Sequence, residues 1–159
     1  MAGEIVTESV WDYPRPPRVE PVSSHITVTH RGLTLLSTNA SVRVLETSHP
    51  PTYYLPNDDF AEGVLLPFEG NTFCEFKGVA SYFDLVAGDQ RIERAAWTYE
   101  NPSPGFESLA GKVALYASQV DECRVGDEVV IPQEGDFYGG WITRNIEGPF
   151  KGEPGTRGW

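Results

Sequence analysis

Glu46 ends the stretch VRVLE and is followed at once by the breaker SHPP. Val42, Val44 and Glu46 share one face of a regular strand, so this carboxylate continues an apolar row. At the rim of a core it is simply solvated. In a pocket, loss of solvent raises a carboxyl pKa and fits it for acid–base work. His49 sits inside the breaker, between Ser48 and Pro50-Pro51. A loop histidine serves as base or ligand, or else packs on the prolines beside it. Lys77 stands just before Gly78 in the motif CEFKG. It offers a cation to a ligand carboxylate, or an amine of depressed pKa. Alternation puts Cys74 with Phe76 and Lys77 with Glu75, on opposite faces, so Lys77 is not placed to activate the thiol. Cys74 reads as a small core residue.

Aromatic residues with polar tips complete the set. Tyr54 adjoins Tyr53, so one ring is expected to point inward and the other outward. Trp97 and Tyr99 share a face at the end of a strand, and Tyr116 shares another with Lys112 and Ala114. Such rings line small-molecule sites and also fill cores. The ligand-binding candidates are therefore Glu46, His49, Tyr54, Lys77, Trp97, Tyr99 and Tyr116. Glu46 and Lys77, each a charge at a strand end beside a turn or breaker, are expected to line the same cavity. No metal or cofactor is expected. A structural zinc site wants four Cys or His ligands in close pairs, and the chain has no C-x-x-C and only His25, His30 and His49. His25 and His30 fall on opposite faces of one strand. A G-x-S-x-G nucleophile motif is also missing.

These residues must be positioned by strands. Short alternating segments recur at His25–Thr29, Leu33–Ser37, Val42–Glu46, Tyr53–Leu55, Val64–Phe68, Phe73–Lys77, Val79–Val86, Arg91–Tyr99, Val113–Ala117, Glu122–Val125 and Glu128–Ile131. Arg31-Gly32, Gly88-Asp89 and Gly126-Asp127 supply turns that favour positive φ. The spacing predicts an all-β domain of two packed sheets or a tent- or barrel-like closure. The one helical candidate is Gly105–Ala110, opened by Ser103-Pro104 and closed by Gly111. Residues 1–24 read as a proline-rich strap carrying Trp11 and Tyr13, which give it something to bury. Residues 25–136 form the β core. Residues 137–159 mix glycines with Phe137, Tyr138, Trp141, Phe150 and Trp159, which predicts an ordered tail packed on the domain with Trp141 and Trp159 buried.

The 159 residues suit one domain, and 40% hydrophobic content is enough for a core. A net charge of −11 with scattered basic residues argues against a nucleic-acid partner. No apolar run reaches the roughly 20 residues that span a bilayer, and the opening MAGEIVTESVWDYPRPP lacks the basic and apolar regions of a secretion signal. Two cysteines do not make a disulfide framework. A cytoplasmic protein with free thiols, a monomer or homodimer, is expected.

RVLETSHPPTYYLPNDD, CEFKG running into ASYFDL, AAWTYENPSPGF, GKVALYASQVD and GDFYGGWITRNIEGPFKGEPGTRGW together resemble the bacterial domain of unknown function 427. The resemblance runs from about Trp11 to Trp159. It implies a predominantly β domain similar to tent-like arrangements of two sheets, and no established reaction. The family also carries a nucleotidyltransferase-like label. That chemistry groups carboxylates around Mg²⁺ against a triphosphate. Here Asp58-Asp59 are adjacent and diverge if extended, and neither a Gly-Ser dipeptide nor a phosphate-binding G-x-x-x-x-G-K-[ST] occurs. The leading expectation is a small-molecule-binding β domain for a polar or anionic metabolite, with or without catalysis. Its rival is a non-catalytic interaction or scaffold protein that docks through the aromatic-glycine tail, and the nucleotidyltransferase comes third.

Overall fold

The computed structural model describes residues 7–14, 17–74, 78–133, 139–148 and 150–151, with the backbone alone at 69–74 and 78. Its strands are β1 Glu8–Ser9, β2 Arg18–Pro21, β3 Ile26–His30, β4 Leu33–Thr38, β5 Val42–Leu45, β6 Thr52–Pro56, β7 Leu65–Cys74, β8 Gly78–Ala87, β9 Gln90–Thr98, β10 Lys112–Leu115, β11 Glu122–Val125, β12 Glu128–Val129, β13 Ile131–Pro132, β14 Trp141–Ile142 and β15 Ile146–Glu147. The protein is mainly β, as its alternating pattern requires. A seven-stranded antiparallel sheet has the order β2-β5-β6-β10-β9-β8-β7. A four-stranded sheet, β12-β11-β3-β4, packs on one of its faces. Two short pairs, β1 with β15 and β13 with β14, join distant parts of the chain. Among the described residues both larger sheets are open, and no barrel closes. Among the described residues no helix is long and apolar enough to cross a membrane.

The main core lies between the sheets. Ile26, Val28, Leu35, Leu36 and Cys123 of the smaller sheet meet Leu55, Leu85, Ala96, Val113 and Leu115 of the larger. Burial there pushes the Cys123 thiol up to about 12, which leaves it an inert core group. The outer face of the large sheet carries a second, aromatic cluster around Tyr54, Tyr82, Trp97 and Tyr99. Tyr53 and Tyr54 are both buried, one in each cluster, because the strand between them is covered on both faces.

Several local expectations change. The expected segments Val64–Phe68 and Phe73–Lys77 both contribute to one strand, β7, which is bulged between Phe68 and Asn71 and ends at Cys74; residues 75–77 lie outside the described residues. Pro67 does not end it, since β7 is an edge strand and one missing donor is tolerated there. Glu128–Ile131 is split between β12 and β13. The helical candidate shrinks to the 3₁₀ turn Glu107–Leu109, because Gly105 and Gly111 take φ of 94° and 75° and leave the helical basin on either side. Trp11 is 43% exposed, against expectation, while Val10 and Tyr13 are buried. Val10 opens the 3₁₀ turn Val10–Asp12 and Tyr13 caps it. Positions three apart share a face there, so Trp11 is turned outward.

Tyr13 and Arg43 anchor this segment. The Tyr13 hydroxyl donates to Glu8 Oε1 at 2.7 Å, and Arg43 pairs with Glu8 and Glu20. Burial opposes the Glu8 charge, but Arg43 and Tyr13 outweigh it and hold the carboxyl below its usual value. In the tail, Trp141 and Ile146 are buried, and Trp141 stacks on Tyr53 with ring centroids 4.9 Å apart. Trp159 lies outside the described residues, as do Phe137 and Tyr138.

Candidate functional site

The aromatic face of the large sheet opens into a cavity of about 710 Å³, within the range of small-molecule sites. Its back wall includes Tyr82 and Trp97, which face each other in adjacent strands, and the row continues beyond the cavity to Phe68 on one side and Ala114 on the other. The small Ala114 leaves room for Tyr54, whose hydroxyl accepts the Trp97 indole N–H at 3.2 Å. Tyr99 lies 6.2 Å from Tyr54, and Tyr116 leans on Trp97 at 4.7 Å. Burial raises the Tyr116 phenol, which therefore keeps its proton at neutral pH.

The rim is polar. Glu46 and His49 follow β5, Ser118 and Gln119 sit on the 3₁₀ turn Ala117–Gln119, and Glu93 and Arg94 come from the middle of β9. Of the seven candidates taken from the sequence, Glu46, His49, Tyr54, Trp97, Tyr99 and Tyr116 all border this cavity. Lys77 lies outside the described residues.

Arg94 is a residue that sequence reasoning missed. Leu85 pairs with Ile92 and Phe83 with Ala96, so three residues of β9 stand opposite Asp84 alone. This bulge turns Arg94 to a φ of 53°, a strained value for a residue with a side chain. Asp84 holds it there. Its fully buried carboxylate accepts the Arg94 backbone N–H at 2.8 Å and Arg91 Nε at 2.6 Å. The Arg94 guanidinium then lies 4.2 Å above the Tyr82 ring, at the cavity wall. Three non-glycine residues among those described have positive φ. Arg31 belongs to a two-residue hairpin turn; Ser48 adjoins His49, and Arg94 is at the rim. Ser48, like Arg31, sits in a turn, closed by the His49 N–H on the Glu46 carbonyl at 3.0 Å. Arg94 is thus the one described non-glycine residue with positive φ outside a turn, and it borders this cavity.

Gln133, also missed, fixes the histidine. Its Oε1 accepts from Gly140 N–H at 3.1 Å and its Nε2 donates to the Lys151 carbonyl at 2.6 Å. Those two backbone groups settle which end of the amide is which. Nε2 therefore faces His49 Nδ1, at 3.3 Å, as a donor. Nδ1 must accept, and a neutral His49 carries its proton on Nε2. Gly139 covers Trp97 so closely that a Cβ there would stand 2.3 Å from the indole Cη2. Trp97 is itself buried and cannot swing aside. Gly139→Ala is therefore expected to cost about 1–3 kcal/mol by overpacking. Thermal unfolding reads this directly, and an unchanged midpoint would show that the 139–140 segment is not seated on Trp97.

Asp58 and Asp59 form an exposed 3₁₀ turn, Asn57–Asp59, directly after β6, and neither borders this cavity. Among the described residues no three His, Cys, Asp or Glu side chains gather as ligands of one metal ion.

These features define a class: a mainly β domain of stacked antiparallel sheets, with an aromatic-walled, polar-rimmed cavity on the outer face of the larger one. The chain belongs to the family described as a domain of unknown function (DUF427, labelled NTP_transf_9), whose model matches residues 18–126. All the cavity residues named above except Gln133 and Gly139 fall within the matched span. No curated protein matches the chain.

Proposed function

We propose that this domain binds a small polar or anionic metabolite in the cavity, with Arg94 as its fixed cation and the Trp97–tyrosine wall as its apolar surface. One observation carries the reading. Glu46, Glu93, Arg94, Tyr116, Ser118 and Gln119 border one concavity, and among the described residues none of their side chains has a hydrogen-bond or ion-pair partner. Arg43, by contrast, is tied to both Glu8 and Glu20 and has no capacity left for a ligand. Water serves the rim groups in the free protein, and a ligand replaces that water. If the ligand is turned over, His49 is the proton carrier, with Nδ1 occupied by Gln133 and Nε2 bearing the proton.

A thermal-shift screen of sugars, organic acids, amino acids and nucleotides tests this. Any compound near 100 times its Kd adds about 2.7 kcal/mol to the native state. At least one is expected to raise the melting temperature of the parent and not that of Arg94→Met. Methionine keeps an unbranched apolar chain over Tyr82 and removes only the charge and its donors. A compound that stabilises both proteins equally binds elsewhere, and a screen without any hit sinks the reading.

A further inference from the structure

Glu93 and Arg94 are consecutive residues of one strand, yet both border the same cavity. In a regular strand neighbours point to opposite faces. The positive φ of Arg94 suspends that alternation, so the bulge sets an anion and a cation side by side at one rim. They do not neutralise each other, because no ion pair joins them; Arg94 rests on the Tyr82 ring, and neither side chain has a hydrogen-bond or ion-pair partner among the described residues. Glu46 adds a second carboxylate at the same opening. His49, held by Gln133, is an acceptor at Nδ1 and adds no charge in that form.

This charge pattern selects among ligands. A polyanion such as a nucleoside triphosphate would satisfy Arg94 but force its remaining charges against Glu46 and Glu93. A simple amine would suit the carboxylates and meet Arg94 with like charge. Only a molecule bearing both signs matches both halves of the rim. The wall adds a further requirement. The Trp97 N–H is already given to Tyr54, so the indole has no donor left for a ligand and offers its face and edge, with the Tyr116 hydroxyl beside it.

We infer that the ligand of this cavity is a zwitterion with an apolar or aromatic body, of the class of α-amino acids with large side chains. Its carboxylate is held by Arg94, its ammonium by Glu93 and Glu46, and its body lies on the tyrosine wall. This rests on the cavity being a binding site at all.

Calorimetric titration of the full chain with three ring-matched probes provides the test: phenylalanine, 3-phenylpropionate and 2-phenylethylamine. Each charge-assisted contact discriminates by about tenfold or more, so phenylalanine is expected to bind at least that much more tightly than either single-charge probe. Arg94→Met should remove its advantage over 2-phenylethylamine. Glu93→Gln combined with Glu46→Gln should remove its advantage over 3-phenylpropionate. If 3-phenylpropionate binds the parent as tightly as phenylalanine, the zwitterion assignment is wrong. It is equally wrong if none of the three binds while another screened compound gives Arg94-dependent stabilisation, an outcome that leaves the binding reading intact. Absence of every Arg94-dependent ligand removes both.

Discussion

Trp141→Ala is expected to lower the unfolding free energy by about 3–5 kcal/mol, the usual cost of emptying a large aromatic site in a core. Only 1% of Trp141 is exposed, and its ring stacks on Tyr53. Its backbone N–H donates to the Pro51 carbonyl at 2.7 Å, and β14 pairs with β13. The residue therefore ties the tail to the loop that carries His49. Against a typical total of about 5–15 kcal/mol, this loss is a large fraction of the domain's stability. Trp141→Phe separates packing from the polar group. The indole N–H is buried without an acceptor among the described residues, so removing it relieves a cost while the smaller ring keeps most of the stack. It should cost less than about 1.5 kcal/mol. Urea unfolding measures both variants. An alanine variant as stable as the parent would mean that the tail is not part of the core.

The strands were legible because alternation reports which face is buried, and the turns because Gly88 and Gly126 each take a φ of 60° where the sequence shows Gly-Asp. The aromatic wall was legible for the same reason: Trp97 and Tyr99 had to share a face. Bulges were not, since they break the period on which the reading depends. In RIERAAW, Ile92 and Ala96 both face the main core, and strict alternation would bury Arg94 between them. A charge at an apparent core position is the signal of a bulge, and it could have pointed to Arg94. No comparable signal existed for Gln133. It meets His49 across 84 residues of sequence, and only the folded chain brings the two together. Trp11 was misplaced because a short 3₁₀ turn has period three, which a proline-rich segment does not advertise.

Asp84→Ala should undo the site and the strand together. The carboxylate is fully buried and holds two groups, Arg91 Nε and the Arg94 backbone N–H. The Arg91 side chain is 56% exposed and can return to water, so losing that ion pair costs little. The Arg94 N–H is the group left stranded, at about 1–3 kcal/mol. With it goes the support for a positive φ, so the bulge relaxes and Arg94 leaves the rim. The expected result is a folded but weakened domain in which ligands that stabilise the parent no longer raise the melting temperature. Asp84→Asn distinguishes the two partners. Its amide oxygen still accepts from Arg94 N–H while its NH₂ faces Arg91, so it should retain most of the binding that alanine loses. The strain has a signature of its own in the comparison of Arg94→Gly with Arg94→Ala. At a relaxed strand position alanine is the more stable by about 0.5–1 kcal/mol. At a φ of 53° the order reverses, because only glycine avoids a left-handed penalty of about 1–2 kcal/mol. If the alanine variant proves the more stable, the bulge is not strained, and Asp84 is a buried charge with no part in aiming Arg94 at the cavity.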